Sequence, residues 1–199
     1  MAYPKVDAPY GFRPVGRVDG MPYAGAMRQY PIASGLAENI ALGEPVKIVK
    51  GVLTTATAAS TTGITGIFMG CEYTDPVTKH LVHSQVWPSG TVASDAVAYV
   101  IDDPMVLFRA AITTSGTDVT GVAYTAVGQN IKAKTSGTPS LTRQSSVVGL
   151  DSVGIATTAT HVFRVVDVVK ESAYDDGRTL YQEVLVKINN HTLMATLSL

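Results

Sequence analysis

Twenty-six valines, ten isoleucines and twenty-three threonines make 59 of the 199 residues β-branched, against 25 that are Leu, Glu or Lys. Branching at Cβ restricts χ1 in a helix but packs well on a pleated surface, so this balance directs the chain toward strands. The 18 Gly and 10 Pro fall between short apolar runs, as turns between strands do. The expected fold class is mainly β: a compact β-barrel or β-sandwich body carrying an extended N-terminal arm, with helix confined to short turns. The length suits one domain, or one domain plus an appendage. With 46% hydrophobic residues a core is available, and 16% charged residues lies well below the roughly 25% usual in soluble proteins, which excludes wholesale disorder.

Charge and cysteine use exclude several partners. Fifteen Lys and Arg against sixteen Asp and Glu leave −1, so no basic field exists to hold phosphates and direct nucleic-acid binding is not expected. A single cysteine, Cys71, can form no internal disulfide and gives no pair from which to begin a zinc site. The opening residues lack the apolar run of a secretion signal, and no 18 consecutive apolar residues occur. Synthesis in the cytoplasm without a membrane span is the expectation.

Residues 1–35 read as the arm and 36–199 as the β-rich body. The arm is broken throughout by proline and glycine, yet Tyr3, Tyr10, Phe12, Tyr23 and Tyr30 supply five of the chain's fourteen aromatic residues. A free linker would hold few aromatics, because exposing them to water is unfavourable. With no strand or helix period of its own, the segment must satisfy its backbone on another surface. Two surfaces are open to it, the chain's own body or a neighbouring subunit, and the second is the sharper reading. Interface energy concentrates in Tyr and Arg side chains. The expected contact residues are therefore Tyr10, Arg13, Arg17, Tyr23, Arg28 and Tyr30, with Phe12 as an apolar anchor.

In the body, a short helical turn is expected at 36–39. Strands follow at 46–50 and Val52–Thr55 around Gly51, and at Gly66–Thr74, with Ile67, Met69, Cys71 and Tyr73 on one face and Phe68, Glu72 and Thr74 on the other. The run 80–87 is a further strand, with Leu81, His83, Gln85 and Trp87 on one side. Strands 96–101 and 105–112 flank the turn Asp102-Asp103-Pro104 and are expected to pair, placing Val106, Phe108, Ala110 and Ile112 on one face and Arg109 on the other. Brief strands are expected at 119–124 and 130–134, and a loop at 136–140. A terminal meander of 162–170, 180–188 and 192–197 turns first at Asp175-Asp176-Gly177.

Catalytic and metal-binding patterns are lacking. His80 and His83 would face opposite sides of a strand, and Cys71 on an apolar face reads as a small core residue rather than the nucleophile of a base such as His161 or His191. The acid pairs Asp102-Asp103 and Asp175-Asp176 sit where aspartate caps turns. Gly63, Gly66 and Gly70 are not followed by the Lys-Ser or Lys-Thr of a phosphate loop. Neither an enzyme, a metal nor a cofactor is expected.

Five phrases occur in order: Ala8-Pro9-Tyr10-Gly11-Phe12-Arg13-Pro14-Val15, Gly43-Glu44-Pro45-Val46-Lys47, Gly66-Ile67-Phe68-Met69-Gly70-Cys71-Glu72-Tyr73, Asp102-Asp103-Pro104-Met105-Val106-Leu107-Phe108 and Val186-Lys187-Ile188-Asn189-Asn190-His191. Together they resemble the head decoration or cement proteins of tailed bacteriophages, small β-rich chains with extended arms. The resemblance implies a virion protein on the outer capsid surface that bridges capsomers, with the major capsid protein and sister copies in a homo-oligomer as partners. A tail or head–tail connector protein shares the same composition. A carbohydrate-binding β-domain would need exposed aromatics and paired acids in a cleft.

Overall fold

The computed structural model describes residues 9–56, 63–113, 122–135, 141, 142, 144–159, 161–169 and 182–194. It is almost entirely β, as the residue balance requires, and its strands form two rolled six-stranded sheets with separate cores and one two-stranded sheet. The strands are β1 (Arg13–Arg17), β2 (Arg28–Pro31), β3 (Ile40–Ala41), β4 (Pro45–Val49), β5 (Val52–Thr55), β6 (Gly66–Thr74), β7 (Leu81–Ser84), β8 (Val86–Trp87), β9 (Val97–Ile101), β10 (Val106–Thr113), β11 (Asn130–Thr135), β12 (Val148–Ala156), β13 (Phe163–Val168) and β14 (Glu183–Ile188). One 3-10 turn, Tyr124–Ala126, interrupts them.

The first sheet closes into a five-stranded barrel, β10-β12-β11-β13-β14, because β14 returns to pair with β10. Strand β10 serves three neighbours. One edge takes β14 along Leu107 to Ala111; the other takes β12 in parallel at Ile112 and Thr113 and the arm strand β1 along Val106 to Arg109. Strand β1 thus fills the part of the edge that β12 leaves open. Inside lie Val106, Phe108, Ala110 and Ile112, the face expected of β10, together with Val184, Val186 and Ile188 of β14.

The second sheet runs β2-β9-β6-β4-β5, with β7 beside β6. A parallel bridge from Ile32 to Leu53 brings its outer strands together, so the sheet rolls around Ile32, Val46, Leu53, Phe68, Trp87 and Val100. The hairpin β4–β5 turns through Lys50 and Gly51 at φ 51° and 86°, the left-handed pair that matches strand twist in a two-residue turn. Gly66 lies where β6 passes β9, and a Cβ there would fall 2.2 Å from the Ile101 carbonyl oxygen, so glycine alone permits the approach.

Several local expectations are corrected. Residues 36–39 form no helical turn: Leu36 N–H closes a turn on Ala33 C=O, and the Glu38 carboxylate accepts the Thr55 N–H at 2.9 Å. In β6 a bulge between Phe68 and Gly70 shifts the alternation, so Phe68 joins Cys71 and Tyr73 in the second core while Ile67 enters the first. The run 80–87 breaks at Gln85, which leaves Leu81 and His83 exposed but buries both Val86 and Trp87. Residues 102–104 do not make a hairpin. Strands β9 and β10 belong to different sheets, and the turn is a crossing between the barrels. Residues 192–194 turn rather than extend. The loop at 136–140, the turn at 175–177 and residues 119–121, 180, 181 and 195–197 of expected strands lie outside the described residues.

The division at residue 35 does not mark a boundary of packing. β1 belongs to the first barrel, β2 and Ile32 belong to the second, and of the two surfaces open to the arm the one it occupies here is the chain's own body.

Candidate interaction surface

The chain passes between the barrels twice, from β1 to β2 through residues 18–27 and from β9 to β10 through Asp102-Asp103-Pro104. Side chains from the ends of the first crossing converge on the acids of the second. Arg17 Nη1 lies 2.7 Å from Asp103 Oδ2, Arg28 Nε lies 3.1 Å from Asp102 Oδ2, and the Tyr30 hydroxyl donates to the same oxygen at 2.8 Å. Asp103 also accepts the Met105 N–H at 2.8 Å. Adjacent aspartates at a turn, favoured there because they cap amides, thus double as a clamp.

Between the clamped ends, residues 18–27 form a surface loop whose termini are close, an Ω-like element. Its backbone is fixed at the start: Arg17 N–H donates to Met21 C=O at 3.1 Å, and Val18 N–H to Met105 C=O at 2.9 Å. Gly20 and Gly25, both at φ 82°, turn it. Tyr23 packs on the first core and donates to Ala26 C=O at 2.9 Å, so the loop has an anchor in its middle. The rest faces water. Met21 is 61% exposed, Met27 49% and Val18 39%, beside Met105 at 37% and the bulged Val15 at 50%. Arg17 is shared between Asp103 and the loop's own Asp19, at 2.7 and 3.2 Å, and Arg28 faces Asp102, so the apolar side chains stand beside a charge cluster with one net negative charge. Soluble proteins rarely expose such patches except where they bind, and methionine suits an adaptable contact.

The seven residues singled out from the sequence divide. Arg17, Tyr23, Arg28 and Tyr30 frame this loop. Tyr10, Phe12 and Arg13 turn onto the chain itself. The Tyr10 hydroxyl, its pKa raised by burial, donates to Glu183, which also holds Arg109. Arg13 donates to Ser145 Oγ at 3.0 Å, and Ser145 Oγ donates to the Tyr10 carbonyl at 3.0 Å. Phe12, expected as the apolar anchor, lies just ahead of β1 inside the chain's own barrel, 0% exposed and stacked on Phe163 with ring centroids 4.3 Å apart. Sequence reasoning missed Val18, Met21, Met27 and Met105. Their signal was a run of apolar residues without periodicity beside aromatic ones that drew attention first.

Other candidates have ordinary surroundings. Burial pushes the Cys71 thiol up to about 12, and its Sγ contacts the Val86 carbonyl at 3.6 Å. His83 Nδ1 lies 3.4 Å from Glu72, which accepts the Tyr99 hydroxyl at 2.6 Å beside a shallow cleft of about 220 Å³. Among the described residues no three His, Cys, Asp or Glu side chains gather as metal ligands. No helix among them is long and apolar enough to cross a membrane.

The clamp makes a modest contribution of its own. Asp102→Ala should lower stability by about 1–2 kcal/mol in urea unfolding, since it strands Tyr30 and Arg28 together, whereas Arg28→Ala, removing a largely exposed partner, should change it by under about 1 kcal/mol. Comparison with family models, with curated proteins and with solved structures finds no match to this chain.

Proposed function

We propose that the protein is a structural component of a bacteriophage virion, bound to the outer capsid surface and cementing neighbouring capsomers. The observation that carries this reading is the apolar loop 18–27, held out from two packed barrels by the Arg17–Asp103 and Arg28–Asp102 clamps. An adhesive part needs a rigid mount and an apolar contact, and the described residues supply both. The resemblance noted in the sequence adds the class of partner: the major capsid protein, with sister copies alongside.

The test is addition of the purified protein to capsids that lack it, followed by sedimentation and counting of bound copies. Hot-spot truncations typically remove about 2 kcal/mol each, so Met21→Ala with Met27→Ala should weaken binding by about a thousandfold if the effects add. Both side chains are exposed, so the double variant should unfold at the parent's urea midpoint. Lys132→Ala, on an exposed position of β11, should bind as the parent does. Copy number settles the place on the particle: hundreds of copies fit a cement, whereas about a dozen at one vertex would mark a head–tail connector. Binding by the double variant equal to the parent's would remove loop 18–27 from the contact.

A further inference from the structure

Glu44 stands where four pieces of chain meet. It lies between β3 and β4, and the residues beside it tie the two barrels to each other. Gly43 C=O accepts from Phe12 N–H at 2.9 Å and Leu42 C=O accepts from Ser146 N–H at 3.0 Å, both across the barrels, while Gly43 N–H donates to the Phe68 carbonyl of β6 at 2.8 Å within the second. The approach leaves no room for side chains: a Cβ on Gly11 would lie 2.7 Å from the Gly43 oxygen and 2.9 Å from the Ser146 Cβ. Glu44 is only 5% exposed in this junction. The Ser146 hydroxyl is hydrogen-bonded to its carboxyl, and Oε2 is buried without a partner.

Burial favours the neutral acid and outweighs the hydrogen bonds from the Ser146 hydroxyl and the Ala41 N–H, which favour the charged form. The arm brings Arg13 and Tyr10, already held on Ser145 and Glu183. The segment 144–146 brings Gln144, Ser145 and Ser146, and β6 brings Phe68; none of these is charged. The charge that acts on Glu44 is Glu38, of like sign. Among the described residues a carboxylate here would meet no cation and would keep one unsatisfied acceptor, and burial raises its pKa to about 7.

We infer that Glu44 is a proton-operated catch between the two barrels: carrying its proton it lets the junction close dry, and on losing the proton to solvent it draws in water and parts the contacts among Gly11, Gly43 and Ser146. This goes beyond the virion reading and does not depend on it.

Amide hydrogen exchange on the full chain tests it. The amides of Phe12 and Ser146 cross the junction, onto the Gly43 and Leu42 carbonyls. After correction for intrinsic rates, their protection should fall about tenfold or more between about pH 6 and pH 8, while amides inside β14 keep theirs. In Glu44→Gln, which cannot ionise, protection should be level across that range. Level protection in the parent would overturn the inference, as would an equal fall in the variant. Should Glu44→Gln fail to fold, the Glu44 carboxyl carbon of the parent can be titrated by NMR: a midpoint near 7, shared by the two crossing amide resonances, supports the catch, and a midpoint below about 5 overturns it.

Discussion

Phe12→Ala should lower the stability of the folded protein by about 3–5 kcal/mol, the usual loss when a fully buried aromatic side chain is truncated and the cavity closes only partly. Phe12 is completely enclosed and its ring stacks on Phe163 at an interplanar angle of 15°. Urea unfolding measures the loss, and the cycle with Phe163→Ala should be non-additive because the rings touch. Removal of residues 1–31 should abolish soluble expression, since it takes away Phe12, the strand that covers the edge of β10 and β2 of the second sheet. Met27→Ala, at an exposed site in the same segment, should stay within about 0.5 kcal/mol. An unchanged midpoint for Phe12→Ala would return the start of the chain to the role of a detachable arm.

Raising the pH from about 4.5 to about 7 should weaken the protein by about 3 kcal/mol, with no further loss from this source above that range. In the unfolded chain Glu44 gives up its proton near 4.5, whereas in the folded protein it keeps it to about 7. The full contribution is present below 4.5, and through the interval between the two values the unfolded state gains an ionisation that the native state refuses. Glu44→Gln should flatten this part of the pH–stability curve. Asp75 and Asp95 work in the other direction and only in acid, because hydrogen bonds from the backbone and Thr74, Val77 and Thr78 hold their carboxyls below the usual range. A curve that rises from pH 5 to 7 would contradict the buried-acid account.

Legibility in the sequence followed the strength of the local pattern. The hairpin β4–β5, the extent of strand β6 and the buried face of β10 were readable; in β10 alternation over several residues leaves one solution for which side is dry, whereas the bulge at Phe68–Gly70 hid the faces of β6. Strand β12 was not. Gly149, Asp151, Ser152 and Gly154 give Val148–Ala156 the look of a loop, and it is a strand because β10 and β11 pair with it; a Cβ on Gly149 would stand 2.7 Å from the Ala111 carbonyl oxygen. Strands β1 and β2 were hidden for the same reason, being short, rich in Pro and Gly and defined by long-range partners. The hairpin expected at Asp102-Asp103-Pro104 failed through a true signal with two meanings: the turn chemistry is there, but a turn can join two sheets as well as two neighbours. At the candidate surface, the basic and aromatic frame was legible in Arg17, Tyr23, Arg28 and Tyr30. Its acidic counterpart and the apolar crest required the fold, since Asp102 lies 74 residues from Arg28.

The interleaving of the two barrels fixes an order of assembly. Strands β2 to β9 span residues 28–101 without interruption, so the second barrel has all its own strands as soon as that stretch has left the ribosome. The first barrel has β1 at one end of its sequence and β14 at the other, and β1 must wait for β10, which in turn pairs with β14. Closing that loop of chain makes the first barrel the slow, high-contact-order step, and until β14 arrives the edge of β10 is open to strands from other chains. Crowded synthesis of many copies therefore places its greatest hazard of mispairing on β10, and a helper or a slowed translation rate would be of most use in the interval between residues 113 and 183.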